Sequence, residues 1–325
     1  MKNKVKTLSN NSEILPILQE TEFQEKKILS LDIMLKYQYF SKRKYLDLED
    51  CGRVLKFGLY EHRQTKEREK HLEEMYTCKD RFCPFCNWRR ARKLAIQCYD
   101  VLKAIESKNK VRYLFVTFTI KNCEVSYLRD NIKLMQDSFA RMSKTKRFKN
   151  SILGFVRALE IPPQKSNTDF IHPHFHCLFV VPAIYFNQRY DLYIRQDEFK
   201  DMWKKALRAD YAPSVDVRVI KSNSDGDPIA KAVAETVKYP LKSIDLNNMS
   251  VDSFEILVNQ MKNRRALAFG GIFKEYRKKM LLDDVENGDL ICDGVKNDSV
   301  WEKIAELLYE FRRGKYGFNY YLKED

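Results

Sequence analysis

Periodic segments between residues 113 and 239 run strand, helix, strand, strand, helix, strand. That order predicts an α+β fold, a ferredoxin-like antiparallel sheet (split βαβ) with helices packed on one face. Two further observations complete the architecture. A cluster of cysteines lies upstream of the first strand and marks a separate metal-binding module, and mostly helical periodicity downstream marks a helical C-terminal extension. The expected organisation is a polar N-terminal arm and helix over 1–45, a cysteine-rich module with a basic helix over 46–105, the sheet domain over 106–245 and the extension over 246–325.

Each element has its own signal. The polar arm leads into a helical stretch around Ile28–Tyr39. Tyr113–Ile120 alternates, placing Leu114, Val116, Phe118 and Ile120 on one face of a strand. Val125, Leu128, Ile132, Met135, Phe139 and Met142 follow at spacings of 3, 4, 3, 4 and 3, the stripe of an amphipathic helix. This helix ends in a run without acid, Arg141 to Lys149, that carries five cations. Gly154–Ile161 and His174–Val181 read as strands joined by a polar loop containing Pro162, Pro163 and Asn167. A helix around Asp197–Arg208, a strand over Val215–Val219, a turn over Ser222–Pro228 and a helix from about Ile229 to Tyr239 complete the unit. Farther on, Val251–Leu267 and Val300–Arg312 read as helices, the second with Ile304, Leu307, Leu308 and Phe311 as its stripe.

Composition excludes several classes. A chain of 325 residues with 44% hydrophobic and 13% aromatic side chains has ample material for a core, so global disorder is excluded. Only 10 Gly and 9 Pro exclude collagen-like and linker-like chains. No apolar run approaches the roughly 20 residues that cross a bilayer, and Met1–Glu20 is polar, so a cytoplasmic protein with no membrane partner is expected. The formal charge of +14 is uneven: from Leu281 onward 11 acids face 6 bases, leaving +19 on the residues before it. A basic body of that kind suits a polyanion, most simply nucleic acid.

The cysteines carry chemistry. Cys78, Cys83 and Cys86 fall within nine residues, and Cys83-Pro-Phe-Cys86 forms a knuckle that holds two thiolates at the separation tetrahedral Zn²⁺ needs. Cys51 is the first choice for fourth ligand, followed by His71 and His62. A redox C-x-x-C would need a thioredoxin-like βαβ context, which is missing, and the single residues Cys98, Cys123, Cys177 and Cys292 read as core. Trp88, Arg89, Arg90, Arg92 and Lys93 then open a helix suited to gripping phosphates.

Three of the five histidines fall in His172-Pro173-His174-Phe175-His176. On a strand His174 and His176 share one face while Phe175 turns to the other, so the two imidazoles can bind one divalent cation. Glu160, on a strand expected to pair with this one, is the best third ligand, and a His₂-carboxylate set with open positions suits Mg²⁺ or Mn²⁺ acting on a phosphate oxygen. His172 stands before Pro173 and is assigned to supporting the site or contacting phosphate rather than to ligation. Glu235 and Tyr239 are four apart and share a helix face; Lys238 and Lys242 are placed to favour the phenolate, and Pro240 ends the helix at the tyrosine.

Together these elements resemble the HUH endonuclease superfamily, and within it the rolling-circle plasmid replication initiators of the single-tyrosine type found in Gram-positive bacteria. The resemblance spans Cys51-Gly52, Cys78, the Cys83–Cys86 knuckle and Trp88-Arg89-Arg90. It continues through Phe115–Thr119, Gly154-x-x-Arg157-x-x-Glu160, His172–His176, Glu235-x-x-x-Tyr239-x-x-Lys242 and Ala268–Lys274. It implies that 106–245 is an HUH endonuclease domain acting on single-stranded or hairpin origin DNA. His174, His176 and a carboxylate hold the cation, and Tyr239 attacks to give a 5′-phosphotyrosine and a free 3′-OH primer. Glu235 supports the terminating cleavage, and host helicase and DNA polymerase are the expected partners. A related transposase, a mobilisation relaxase or a non-enzymatic zinc-containing DNA-binding protein are the alternatives.

Overall fold

The computed structural model describes residues 21–220, 229–230, 233, 246–291, 300–315 and 317–323. In chain order the elements are α1 (Thr21–Tyr37), α2 (Lys42–Asp50), β1 (Val54–His62), β2 (Arg68–Met75) and α3 (Pro84–Glu106). Next come β3 (Val111–Thr119), the short β4 (Cys123–Glu124), α4 (Leu128–Ser143), α5 (Lys146–Ser151), β5 (Gly154–Glu160), β6 (Pro163–Gln164), β7 (Asn167–Ile171) and β8 (His174–Pro182). The chain continues with α6 (Gln196–Leu207), β9 (Val215–Ile220), α7 (Val251–Met261), β10 (Leu267–Gly270), α8 (Gly271–Lys279), β11 (Trp301–Gly314) and β12 (Gly317–Leu322). Two compact units result: Met1–Arg89 with Asp289–Asp325, and Arg90–Gly288.

The first unit holds a four-stranded antiparallel sheet in the order β12-β11-β1-β2. It corrects the expected helix over Val300–Arg312, and with it the helical C-terminal extension. Those residues lie in strand β11, paired with β1 on one side and β12 on the other. Ile304, Leu307, Leu308 and Phe311 have helical spacing, but Ala305, Leu307, Tyr309 and Phe311 are the buried set, and their period is two. Two partner strands and a shared apolar face override the helical periodicity. The polar arm over 1–20 lies outside the described residues.

The second unit is built on a five-stranded antiparallel sheet, β10-β5-β8-β3-β9. Of the four strands read in the sequence, the second and third pair, the first lies beside the third, and the fourth is at the edge; β10 is added outside the second. On one face Leu114, Val116, Phe118, Phe175 and Phe179 are buried, together with the stripe Leu128, Ile132, Met135, Phe139 and Met142 of α4. Rings interlock there, Phe118 with Trp203 of α6 at 5.2 Å and Phe148 of α5 with Phe179 at 5.5 Å. The opposite face packs Tyr113, Val156, Ala158, Leu178 and Val180 against Leu94, Cys98, Val101, Leu102 and Ile105 of α3, joined by Ile229 and Val233. Helices therefore cover both faces, which corrects the one-faced packing expected. The polar loop of Pro162, Pro163 and Asn167 forms β6 and β7, which pair with β4 in a small separate sheet. The helix predicted over Val251–Leu267 stops at Met261: Asn263 takes a left-handed φ of 59°, and Leu267 opens β10 opposite Ala158.

Candidate active site and metal centres

At one end of this sheet β5 finishes at Glu160, β8 begins at His174 and β3 finishes at Thr119. Glu160 is directly opposite His174, and His176 is opposite both Ala158 and Thr117. Paired residues of an antiparallel ladder share a face, so the carboxylate and both imidazoles project together. Glu160 Oε2 lies 2.9 Å from His174 Nε2 and also contacts His176 Nε2, while the two Nε2 atoms are 3.0 Å apart. The side chains are nearly buried, 11% exposed for Glu160 and His174 and 14% for His176.

The protonation pattern follows from the other ring nitrogens. His174 Nδ1 is 2.9 Å from the His172 carbonyl oxygen, which can only accept, so that nitrogen carries hydrogen and Nε2 of a neutral ring presents a lone pair. His176 Nδ1 is 3.2 Å from Thr117 Oγ1, and its ring stacks on Phe115 at 5.3 Å. The Thr117 hydroxyl serves either tautomer of His176, so only a bound cation would require a lone pair at both Nε2 atoms. Burial would raise the Glu160 carboxyl, but hydrogen bonds from His174 and His176 and their charge hold it at about 2. These three residues could hold a divalent ion with positions left open.

His172 is not one of the converging group. Its Nδ1 meets Asn122 Oδ1, and its carbonyl braces His174. Burial and the neighbouring His174 lower its pKa. On the reverse face the Arg157 guanidinium lies 4.3 Å from the Phe175 ring centroid and 4.7 Å from that of Phe139, pinning the residue between the two histidines from behind. Sequence reasoning gave Thr117, Phe115, Asn122 and Arg157 no individual role. A signal existed for the first: Thr117 and Thr119 are polar on the face opposite Leu114, Val116 and Phe118, in a strand with partners on both sides.

In the first unit Cys51, Cys78, Cys83 and Cys86 form a second group. Their sulfurs are 3.7 Å apart for Cys51–Cys83, 3.4 Å for Cys51–Cys86 and 3.6 Å for Cys78–Cys86. A tetrahedron with metal–sulfur bonds of about 2.3 Å has edges of roughly 3.8 Å, whereas a disulfide would need about 2.05 Å. Backbone N–H groups of Cys78, Asp80 and Cys86 point at the sulfurs of Cys51, Cys78 and Cys83 at 3.4, 3.4 and 3.5 Å. Hydrogen bonding to the other three cysteines and burial push the Cys78 thiol well above its ordinary range. Such a set could hold one thiophilic cation. His62 and His71, the reserve candidates, lie on the β1–β2 hairpin and are outside the group. Gly52, at φ +63°, passes so close to Phe85 that an added Cβ would stand 2.7 Å from its Cζ, so glycine is required beside the first ligand. Lys27 is buried and donates to the carbonyls of Leu48, Glu49 and Cys51 at 3.1, 2.8 and 2.7 Å.

The phosphate-gripping helix is corrected at three of its positions. Arg89, Arg90 and Lys93 are 0%, 4% and 6% exposed. Arg89 donates from Nε to the Leu290 carbonyl at 3.0 Å and stacks on Trp88, Arg90 donates to the Glu286 carbonyl at 3.0 Å, and Lys93 meets Asp283 at 2.6 Å. These cations close loops from late in the chain onto α3. Trp88 packs edge-on against Phe23 at 4.9 Å, and Arg92 alone of the five is exposed. Glu235, Lys238, Tyr239 and Lys242 lie outside the described residues. Val233, six positions before the tyrosine in sequence, is buried against the sheet face that carries His176.

Comparison with known proteins gives this geometry a context. The family model described as Replication protein (Rep_1) matches residues 69–320. A "Protein rep" from Streptococcus pneumoniae serotype 2 is 34% identical over 285 residues, 87% of this chain and 87% of that protein. A "Protein rep" from Bacillus amyloliquefaciens is 32% identical over 82% of each chain, and one from Lentilactobacillus hilgardii is 30% identical over 90% of this chain and 91% of its own. No solved structure matches the chain. The match takes in the knuckle, the histidine strand and the tyrosine motif, and on that breadth the chain belongs to the Rep_1 family of replication proteins.

Proposed function

We propose that this protein is an HUH-type initiator of plasmid rolling-circle replication, a site-specific single-strand DNA endonuclease and strand transferase. The observation that carries the reading is the convergence of Glu160 Oε2, His174 Nε2 and His176 Nε2 at the end of an antiparallel sheet. The membership of a replication family supports the role in initiation. Mg²⁺ or Mn²⁺, held by these three residues, would supply charge neutralisation at a non-bridging oxygen of the scissile phosphate. Glu160 stays ionised there, and the fixed Nδ1–H of His174 keeps its Nε2 lone pair turned inward.

Tyr239 provides the nucleophile. Its phenolic oxygen bonds to phosphorus while the bond to the 3′-oxygen breaks, and the departing oxygen takes a proton to become the 3′-OH primer. Lys238 and Lys242 favour the phenolate. Glu235, four residues before the tyrosine in sequence, activates water for the terminating cleavage, so initiation and termination differ chemically. Cys51, Cys78, Cys83 and Cys86 hold a structural Zn²⁺. Host helicase and DNA polymerase would use the exposed primer.

A labelled hairpin oligonucleotide incubated with the protein and Mn²⁺ tests this reading. A covalent adduct that disappears in Tyr239→Phe is expected. No adduct would leave the alternative of a zinc-containing DNA-binding protein, and an adduct that survives the substitution would remove Tyr239 as the nucleophile.

A further inference from the structure

The two histidines of the site are oriented by different kinds of partner. His174 Nδ1 faces a carbonyl oxygen, which accepts and never donates, so backbone geometry alone fixes that ring's tautomer. His176 Nδ1 faces the hydroxyl of Thr117 at 3.2 Å, and a hydroxyl serves either tautomer. Nothing else among the described contacts of that nitrogen decides between them. The Phe115 ring, stacked at 5.3 Å and 23°, fixes the plane of the imidazole but not which nitrogen carries hydrogen.

Resting on the metal-site reading above, we propose that Thr117 is the positioning residue for His176: its Oγ1 accepts from Nδ1–H and thereby turns the Nε2 lone pair toward Glu160 and His174. Three features of the strand make Thr117 suited to the task. It stands directly opposite His176 in the β3–β8 ladder, so the two side chains share a face and a rung. It lies on a strand paired on both sides, which fixes its backbone. It is β-branched, so its χ1 is restricted and its oxygen is held in place. Partners of this kind keep a ligand's tautomer and orientation, and their loss typically weakens metal binding by about 10- to 100-fold. The inference also explains why a polar side chain occupies a rung whose next inward neighbour on the same face is the aromatic Phe115.

The test uses the full chain with Mn²⁺ or Mg²⁺ alone, without DNA. Thr117→Val keeps the shape and strand preference but removes the acceptor, and Thr117→Ser keeps the hydroxyl. Mn²⁺ affinity by titration calorimetry or electron paramagnetic resonance should fall about 10- to 100-fold in T117V and stay within a few-fold of wild type in T117S. In the Mg²⁺-loaded protein, ¹⁵N shifts of labelled histidines should place hydrogen on Nδ1 of His176 in wild type and T117S. A T117V protein that binds Mn²⁺ as wild type does, or a T117S protein as weak as T117V, overturns the role of the hydroxyl. A T117V chain that fails to fold leaves T117S and the wild-type tautomer to decide, and hydrogen on Nε2 of wild-type His176 refutes the proposal. A wild-type chain that takes up no Mn²⁺, or a His174→Ala variant that binds it equally, instead removes the metal reading itself.

Discussion

Glu160 and His174 face each other across one rung of the sheet, carboxylate oxygen to imidazole nitrogen at 2.9 Å, although 14 residues separate them along the chain. The small β6–β7 excursion between them brings the chain straight back. The rung is therefore a product of strand register, and a one-residue slip of β8 would turn both histidines to the opposite face.

Removing either imidazole should separate chemistry from binding. His174→Ala and His176→Ala are expected to lower nicking of a hairpin substrate on the order of 10³-fold, since charge neutralisation at phosphorus contributes several kcal/mol. Duplex binding, followed by fluorescence anisotropy, should remain largely intact. Equal loss of both activities would contradict the assignment.

The sulfur cluster should behave as a folding element. Zinc analysis of the purified protein is expected to give one equivalent, lost in Cys83→Ser and Cys86→Ser. Chelation should unfold the first unit, because metal binding and folding are coupled at such sites. A protein that keeps its thermal transition after exhaustive chelation would refute this.

Arg90 supplies a sharp contrast between the structure and the sequence. With its guanidinium buried against the Glu286 carbonyl, Arg90→Ala should destabilise the protein by about 1–3 kcal/mol, measured by urea unfolding. Its effect on the salt slope of DNA binding should be small. A phosphate contact would give the reverse, a slope reduced by about one with stability unchanged.

Cys98 predicts an alkaline limit. Burial pushes its thiol up from 9.0 to about 12, so the folded chain keeps a proton that the unfolded chain releases. Its stabilising effect is complete below about 9 and declines as pH rises toward 12, by roughly 1.4 kcal/mol per unit. Cys98→Ala should flatten that decline, and iodoacetamide should leave Cys98 unmodified in the native protein below pH 9.

Local chemistry was legible in the residues themselves. Alternation placed His174 and His176 on one face, the spacing of the knuckle announced a sulfur site with Cys51 as its fourth member, and the stripe of α4 reads directly as a helix. What failed shared one cause. Val300–Arg312 has a stripe of helical spacing, but β1 and β12 lie ready to pair with it, and hydrogen bonding to two distant strands outweighs local periodicity. Arg89, Arg90 and Lys93 read as a cationic surface because one-dimensional charge says nothing of burial; loops around Leu290 and Glu286 fold back to meet them. Thr117 likewise acquires its meaning only from the rung it shares with His176. The sequence by itself determined which donor atoms are available and how they alternate along each element. Only tertiary structure decided which meet, because strand register and burial are set by partners far along the chain.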